Sequence, residues 1–361
     1  MVYLDYSATY PVVKYPQRLY RDVLGKGYFF NPNANYAYKE KRLLSKAEDR
    51  VKKAIGAKGG KVIFGGTSSQ LIENLMSAVY NIFKQKDIEY MTLGPCVEHD
   101  SFNRYVVHKC EDLKDLDKWL PFYDDIQIFV LWQAVQNITG EIFPTKQIGE
   151  LVHKHNGFYI CDGTAQIGHA SIEPNIDDWC DFYCFSGHKL GTELSIGCCW
   201  VSDRLDKWLN GFKLHGTPNL AGALAIANAI EDAISNVKDN VYHWVDLYCY
   251  LKKELEENGI EYSVVIGGAK WGKWTPAINA IRLPGFNADA LQQYLASKQI
   301  YVSIGGSACA EKHDYRVLNA YELSNDEVSE VIRVSFGEDS SVEDIEALVE
   351  GIKNFKELYV K

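Results

Sequence analysis

The stretch Phe182-Tyr183-Cys184-Phe185-Ser186-Gly187-His188-Lys189 decides how this chain is read. Four apolar residues in a row, closed by small and polar groups, describe a strand buried on both faces that ends at a turn. The turn delivers an amine. A lysine at a strand end, partly desolvated in a pocket, keeps its amine accessible for a Schiff base with an aldehyde cofactor. Taken alone, Lys189 reads as an ordinary solvated loop lysine, so the surrounding sequence has to decide.

Upstream, Gly157-Phe158-Tyr159-Ile160-Cys161-Asp162-Gly163-Thr164 has the same form: an apolar run closed by a carboxylate and a turn-forming glycine. An aspartate there can accept a hydrogen bond from a protonated pyridine nitrogen and hold its positive charge, which makes the ring an electron sink. It can also simply cap the next turn. A third element begins at Val62-Ile63-Phe64, passes through Gly65-Gly66-Thr67-Ser68-Ser69-Gln70 and enters the helical pattern Leu71-Ile72-Glu73-Asn74-Leu75-Met76. Small residues let the backbone approach an anion, hydroxyls donate to it, and the positive end of a helix favours it. The plainer alternative is a polar N-cap. The spacing is not that of a nucleotide phosphate loop, and no GxGxxG stands at a strand-to-helix turn.

Strand candidates recur at Val62–Phe64, Tyr90–Leu93, Gln127–Trp132, Phe158–Cys161, Phe182–Phe185 and Ile196–Val201, separated by helix-compatible segments such as Asp115–Trp119 and Thr145–His153. That rhythm predicts an α/β fold around a largely parallel sheet, with ligands beyond the strand C-termini, where Asp162 and Lys189 both fall. From Leu220 a close-packed helix over Ala221–Ile230 leads into a helix-rich segment reaching about Glu257. Beyond it, strand-like stretches at Val264–Ile266, Ala277–Arg282, Ile300–Ser303 and Val331–Phe336 predict a smaller C-terminal domain.

With 361 residues, 47% hydrophobic and 24% charged, the chain has the composition of a soluble protein with a substantial core. A formal charge of -10 disfavours direct nucleic-acid binding. The nine cysteines do not form the framework of a small disulfide-stapled protein and suit a reducing, cytoplasmic setting. No targeting segment opens the sequence and no apolar run is long enough to span a bilayer, so no membrane association is expected.

Three motifs carry a family resemblance: the opening Tyr3-Leu4-Asp5-Tyr6-Ser7-Ala8-Thr9-Tyr10-Pro11, the loop Asn31-Pro32-Asn33-Ala34-Asn35, and above all Phe185-Ser186-Gly187-His188-Lys189. The chain resembles, over nearly its whole length, the fold-type-I pyridoxal 5'-phosphate (PLP) enzymes of the class V aminotransferase and cysteine desulfurase group. The resemblance implies an α/β large domain with a mainly parallel seven-stranded sheet and a smaller α/β C-terminal domain. In residue terms it implies an N-terminal segment, 1–14, packing with the small domain, a PLP-binding domain over 15–235, and a small domain over 236–361.

Singly, each further candidate has an ordinary structural reading: a hydrogen-bonding histidine, a loop-bracing asparagine, a salt-bridging arginine, a core cysteine. The resemblance assigns them otherwise. It puts PLP on Lys189, with Asp162 at the pyridine nitrogen, His99 over the ring and in proton handling, and Asn137 near the ring hydroxyl and the bound amino acid. Ser69, Gln70, Ser186 and His188 are implied at the phosphate. Thr217, in His215-Gly216-Thr217-Pro218-Asn219, is implied to reach the phosphate of a neighbouring subunit, hence a homodimer. Arg333, in Ile332-Arg333-Val334-Ser335-Phe336-Gly337, is implied at the substrate carboxylate, where its planar fork gives two directional bonds. Cys309, in Val302-Ser303-Ile304-Gly305-Gly306-Ser307-Ala308-Cys309-Ala310, matches the persulfide-forming cysteine. The implied reaction is L-cysteine to L-alanine, with sulfur carried on Cys309 to a thiol or a sulfur-acceptor protein; no metal site is assigned.

The sequence departs from the family pattern in three places. The cysteine loop carries an extra glycine. The loop before Gly216 is short and lacks the usual arginines. Glutamine stands one position late in Asp162-Gly163-Thr164-Ala165-Gln166; the resemblance implies a Gln166 contact to the cofactor hydroxyl, which a local bulge would restore. The alternatives are an aminotransferase, lyase or selenocysteine-directed relative acting on a small amino acid, and a catalytically degenerate PLP-binding scaffold.

Overall fold

The computed structural model describes residues 1–11, 21–22, 25–26, 31, 33–123, 125–193, 195–265, 273–305 and 315–359. The chain divides into two compact units: Pro11–Ala134 with Phe143–Asn236, and Met1–Tyr10 with Val135–Ile142 and Val237–Lys361.

Strand β1 (Val2–Tyr3) belongs to the smaller unit. The larger unit contains one seven-stranded sheet made of β2 (Lys61–Gly65), β3 (Tyr90–Pro95), β4 (His108–Cys110), β5 (Gln127–Gln133), β6 (Phe158–Asp162), β7 (Phe182–Ser186) and β8 (Gly197–Val201). Across the sheet the order is β2-β8-β7-β6-β5-β3-β4. The five strands from β7 to β4 are parallel, and β8 runs against both neighbours. This is the mainly parallel architecture expected of the fold.

Every residue of β6, β7 and β8 is buried. Both faces are covered, which explains why these segments read as unbroken apolar runs rather than as alternation. After helix α1 (Tyr38–Ala54), helix α2 (Ser68–Lys86) lays Leu71, Ile72, Leu75, Met76, Val79 and Phe83 on Phe129, Phe158, Ile160, Phe182 and Val201. Those positions recur at helical spacing along one stripe. Each such side chain contributes ~1.5–3 kcal/mol on burial. Helix α3 (Thr145–Lys154) provides the crossover between β5 and β6. Since β5, β6 and β7 are parallel and paired in register, Gln133, Asp162 and Ser186 terminate them along one edge of the sheet.

The expected strands of this unit are all present, with ends shifted by a residue or two. Strand β4 was not expected: His108-Lys109-Cys110 is too short and too polar to announce itself, and it exists because it pairs with β3. The helix-rich stretch after Leu220 is a single 38-residue helix, α4 (Leu220–Glu257).

In the smaller unit, β9 (Ser263–Val265), β10 (Ile278–Arg282), β12 (Ser303–Ile304) and β13 (Val331–Ser335) form an antiparallel sheet of order β12-β13-β10-β9, while β1 pairs in parallel with β11 (Ile300–Tyr301). The single strand expected over Ile300–Ser303 is therefore two pieces, because the chain changes partner at Val302. Ile266, expected to end β9, and residues 12–14 of the N-terminal segment lie outside the described residues. Helices α5 (Ala288–Ser297) and α6 (Val342–Tyr359) supply Leu291, Leu295, Leu348, Ile352 and Phe355 to the core. The N-terminal segment is tied down by backbone bonds from Leu4 N to Tyr301 O at 2.9 Å and from Ser335 N to Leu4 O at 2.8 Å. Among the described residues no helix is long and apolar enough to cross a membrane.

Candidate active site

Strand β7 ends at Ser186, and the backbone enters one 3-10 turn, Gly187–Leu190, that carries Lys189. Lys189 is half-buried. Its charge is felt by two histidines: burial first, and Lys189 second, pull His169 and His188 down to about 4. Both rings are thus neutral near pH 7, a setting suited to an amine that must shed a proton before acting as a nucleophile.

Asp162 closes the adjacent strand β6 and is 6% exposed. Its Oδ1 accepts the N–H of Thr164 at 2.9 Å, while among the described residues Oδ2 receives no hydrogen bond. The next residue has to be glycine, because a Cβ at Gly163 would lie 2.1 Å from Cζ of Tyr183. That close approach places the Tyr183 hydroxyl where it donates to Gln166 Oε1 at 2.8 Å, and Gln166 Nε2 donates to Ser171 O at 3.0 Å. Gln166 is therefore turned into the protein and engaged at both ends of its amide. A contact of Gln166 with the cofactor, as the resemblance implies, has to be made by an amide already holding these two bonds.

The start of α2 is lined with hydroxyl and amide groups. Thr67 is the N-cap, its Oγ1 accepting from Gln70 N at 3.1 Å, and Gly66 N donates to Gln70 Oε1 at 3.0 Å. Ser68 N donates to Ser186 Oγ at 2.9 Å, and Ser186 Oγ donates to Ser68 Oγ at 2.8 Å. Buried Ser186 thus links the strand end before Lys189 to the positive end of a 19-residue helix. Strand β8 packs so tightly here that a Cβ on Gly197 would fall 2.7 Å from the Thr67 carbonyl carbon. Ser69 and Gln70 are exposed at the same terminus.

His99 precedes the short helix Asp100–Asn103, and its Nδ1 accepts from Ser101 N at 3.2 Å. In the neutral ring this places the proton on Nε2. Fully buried Glu98 fastens the turn to the sheet, accepting from His99 N at 3.1 Å and from Gln133 N at 2.6 Å. Sequence reasoning gave Glu98 no part, and its only signal was a carboxylate next to a singled-out histidine.

Thr217 is exposed, and its Oγ1 accepts from Asn31 Nδ2 at 3.2 Å; Asn33 Nδ2 donates to Gly216 O at 3.3 Å. Two separately recognised motifs are thereby joined. A cavity of about 610 Å³ runs between this loop and β2, touching the start of α2 at Gly66 and Gln70. Lys189 and Asp162 do not line it.

In the smaller unit, the Asn137 carbonyl accepts from Ser7 Oγ and from Arg333 Nη1, each at 3.0 Å. Arg333 is completely buried, and its Nη2 donates to Asp5 Oδ1 at 2.8 Å and to Ser303 Oγ at 3.1 Å. Cys309 lies outside the described residues.

A helix terminus lined with hydroxyls, an aspartate with one open oxygen and a half-buried lysine near neutral imidazoles are the donor set that a phosphorylated pyridine aldehyde requires, so these residues fit PLP.

The aminotransferase class-V family profile matches residues 109–348. The chain is 24% identical to a cysteine desulfurase IscS of Dictyoglomus turgidum, over 95% of this chain and 91% of that protein. It is 25% identical to a cysteine desulfurase IscS of Clostridium botulinum, over 97% and 92%. Among solved structures, a NifS-like protein superposes with a TM-score of 0.85 at 20% identity, covering 99% of both chains. The apo structure of a cysteine desulfurase from Thermococcus onnurineus NA1 gives 0.78 at 20% identity, over 98% and 94%. Lysine motif, sheet order and a family match spanning most of the chain agree, and the chain belongs to the class-V aminotransferase and cysteine desulfurase family of fold-type-I PLP enzymes.

Proposed function

We propose that this protein is a cysteine desulfurase that converts L-cysteine to L-alanine and carries the sulfur as a persulfide on Cys309. The observation that carries the reading is the juxtaposition, at one edge of the large sheet, of Asp162 at the end of β6 and Lys189 in the turn after β7. The cysteine desulfurase names of relatives aligned over nearly the whole chain support the choice of substrate.

PLP, when bound, supplies an electron-withdrawing ring that acidifies the amino acid Cα–H and weakens its Cβ–S bond. Lys189 provides the amine that holds the aldehyde and, once released, a base. Asp162 keeps a proton on the pyridine nitrogen through its open oxygen. The hydroxyls of Ser68 and Ser69 and the Ser69 N–H, at the positive end of α2, bind the phosphate, with Gln70 and His188 beside them; Ser186 holds Ser68 in place. His99 carries a proton on Nε2 and moves it at the ring face. Arg333 and Asn137 receive the substrate carboxylate. Thr217 serves the phosphate of a second copy in a cytoplasmic homodimer.

The Cys309 thiolate attacks the substrate sulfur. The new S–S bond forms as Cβ–S breaks, the carbon keeps the electron pair and is protonated, and L-cysteine plus a thiol becomes L-alanine plus a persulfide. No outside oxidant enters. The sulfur then passes to a thiol or an acceptor protein.

The test is PLP-loaded enzyme incubated with isotopically labelled L-cysteine, with alanine quantified and the persulfide mapped by mass spectrometry. Equal amounts of cysteine lost and alanine formed, with label on Cys309 and none after Cys309→Ser, is the expected result. Cysteine consumption that requires a keto-acid acceptor, or label on another cysteine, would overturn it.

A further inference from the structure

Arg333 lies in β13 opposite Ser303 of β12 and Ala280 of β10. Its side chain shares a strand face with Ser335, two residues on, and Ser335 Oγ accepts from Ser7 N at 2.9 Å. The N-terminal segment therefore covers the guanidinium. Nη2 donates to Asp5 and Ser303, Nη1 to the Asn137 carbonyl, and Ser303 Oγ donates to Asp5 Oδ1 at 2.7 Å. Among the described residues Nε has no partner.

This arrangement closes the arginine to bidentate binding. A carboxylate grips a guanidinium through two neighbouring N–H groups on one edge, either Nη1 with Nη2 or Nε with Nη2. Both edges need Nη2, and both of its hydrogens are committed. Of the three partners only Asp5 is an anion. Its side chain is 18% exposed, whereas that of Arg333 is 0% exposed, so a carboxylate arriving from solvent reaches the fork by taking the place of Asp5.

We propose that Asp5 is a specificity-determining positioning residue: an internal carboxylate that occupies the Arg333 fork and exchanges, charge for charge, with the carboxylate of the incoming amino acid. The proposal rests on the reading of Arg333 as the substrate-carboxylate anchor. It makes a free α-carboxylate the condition for entry, because a neutral amide cannot replace an anion beside a buried guanidinium.

The probe is 3-mercaptopropionate, which has the thiol and carboxylate of the substrate but no amine, titrated calorimetrically into holoenzyme alongside its neutral amide. Asp5→Asn keeps the shape and removes the competing charge. The dissociation constant for 3-mercaptopropionate should fall about tenfold, the scale of one charge-assisted hydrogen bond. The KM for L-cysteine should fall with it while kcat changes little, and amide binding should stay unchanged. Ser303→Ala, which frees one Nη2 hydrogen and removes the hydroxyl that donates to Asp5 Oδ1 while leaving both charges in place, should tighten binding in the same direction and decides the matter if Asp5→Asn does not fold. Unchanged or weaker binding in both folded variants, with binding lost in Arg333→Lys, overturns the exchange alone. Binding that survives in Arg333→Lys overturns the anchor reading and the exchange with it.

Discussion

Substituting alanine for Gly197 puts a methyl group where β8 passes the first turn of α2. An ideal Cβ there lies 2.7 Å from the Thr67 carbonyl carbon, 2.9 Å from its Cα and 3.1 Å from Ser68 N. These are backbone atoms, so no rotamer change relieves the overlap. The closest approach falls about 0.7 Å short of ordinary contact at 3.4 Å. Strand β8 is laddered on both sides, to β2 and to β7, and cannot retreat. The helix terminus has to move, and with it Thr67, Ser68 and the Ser68–Ser186 hydroxyl pair. Overpacking of this kind costs ~1–3 kcal/mol of stability, and a shift approaching 1 Å in a binding constellation costs ~10²-fold. Gly197→Ala is therefore expected to fold, with a lower urea midpoint and PLP affinity weakened by ~10- to 100-fold in a fluorescence titration of the apoenzyme. Gly25→Ala, whose Cβ meets nothing within 4 Å among the described residues, is the control. Unchanged PLP affinity in a folded Gly197→Ala protein would refute the assignment of the phosphate to the start of α2.

Lys189→Ala should still bind PLP through the phosphate cradle and Asp162 but lose the imine absorbance and all turnover; borohydride-resistant labelling of any other lysine in the wild type would transfer the role elsewhere. Buried Asp181 accepts from Arg204 Nη2 at 2.7 Å, His153 Nε2 at 2.9 Å, Ser202 Oγ at 3.0 Å and Tyr159 N at 2.9 Å. Burial pushes its pKa up, but the bonds from His153 and Arg204 outweigh it and hold the carboxyl below its usual range. A depressed folded pKa means stability that is complete above the unfolded value of about 4 and lost as pH falls through the folded value. Asp181→Asn should cost about 3 kcal/mol, the low end for a broken buried pair because 42% of the Arg204 side chain remains in solvent. It should also flatten the acid side of the urea-midpoint profile, and an unaltered pH dependence would count against the network.

Much of the large sheet was legible because a strand buried on both faces has to be an apolar run, and Phe158–Cys161 and Phe182–Phe185 are such runs. The residues that close them, Asp162 and Lys189, were legible for the same local reason: in a parallel sheet, chemistry gathers where the strands end. The N-terminus of α2 announced itself through Thr67, a hydroxyl cap before an apolar helical stripe.

What the sequence could not determine were choices made between distant segments. Strand β4 exists only through its pairing with β3, and the run over Ile300–Ser303 splits because β1 claims one half and β13 the other. The direction of Gln166 is decided by the hydroxyl of Tyr183 on the next strand. Arg333 has the side chain of an open carboxylate anchor, yet its fork is closed by Asp5, which stands 328 residues earlier in the chain. Periodicity along one segment reports how that segment is buried. Which group then satisfies a buried donor depends on the packing of segments that local patterning does not connect, and that only the tertiary structure decides.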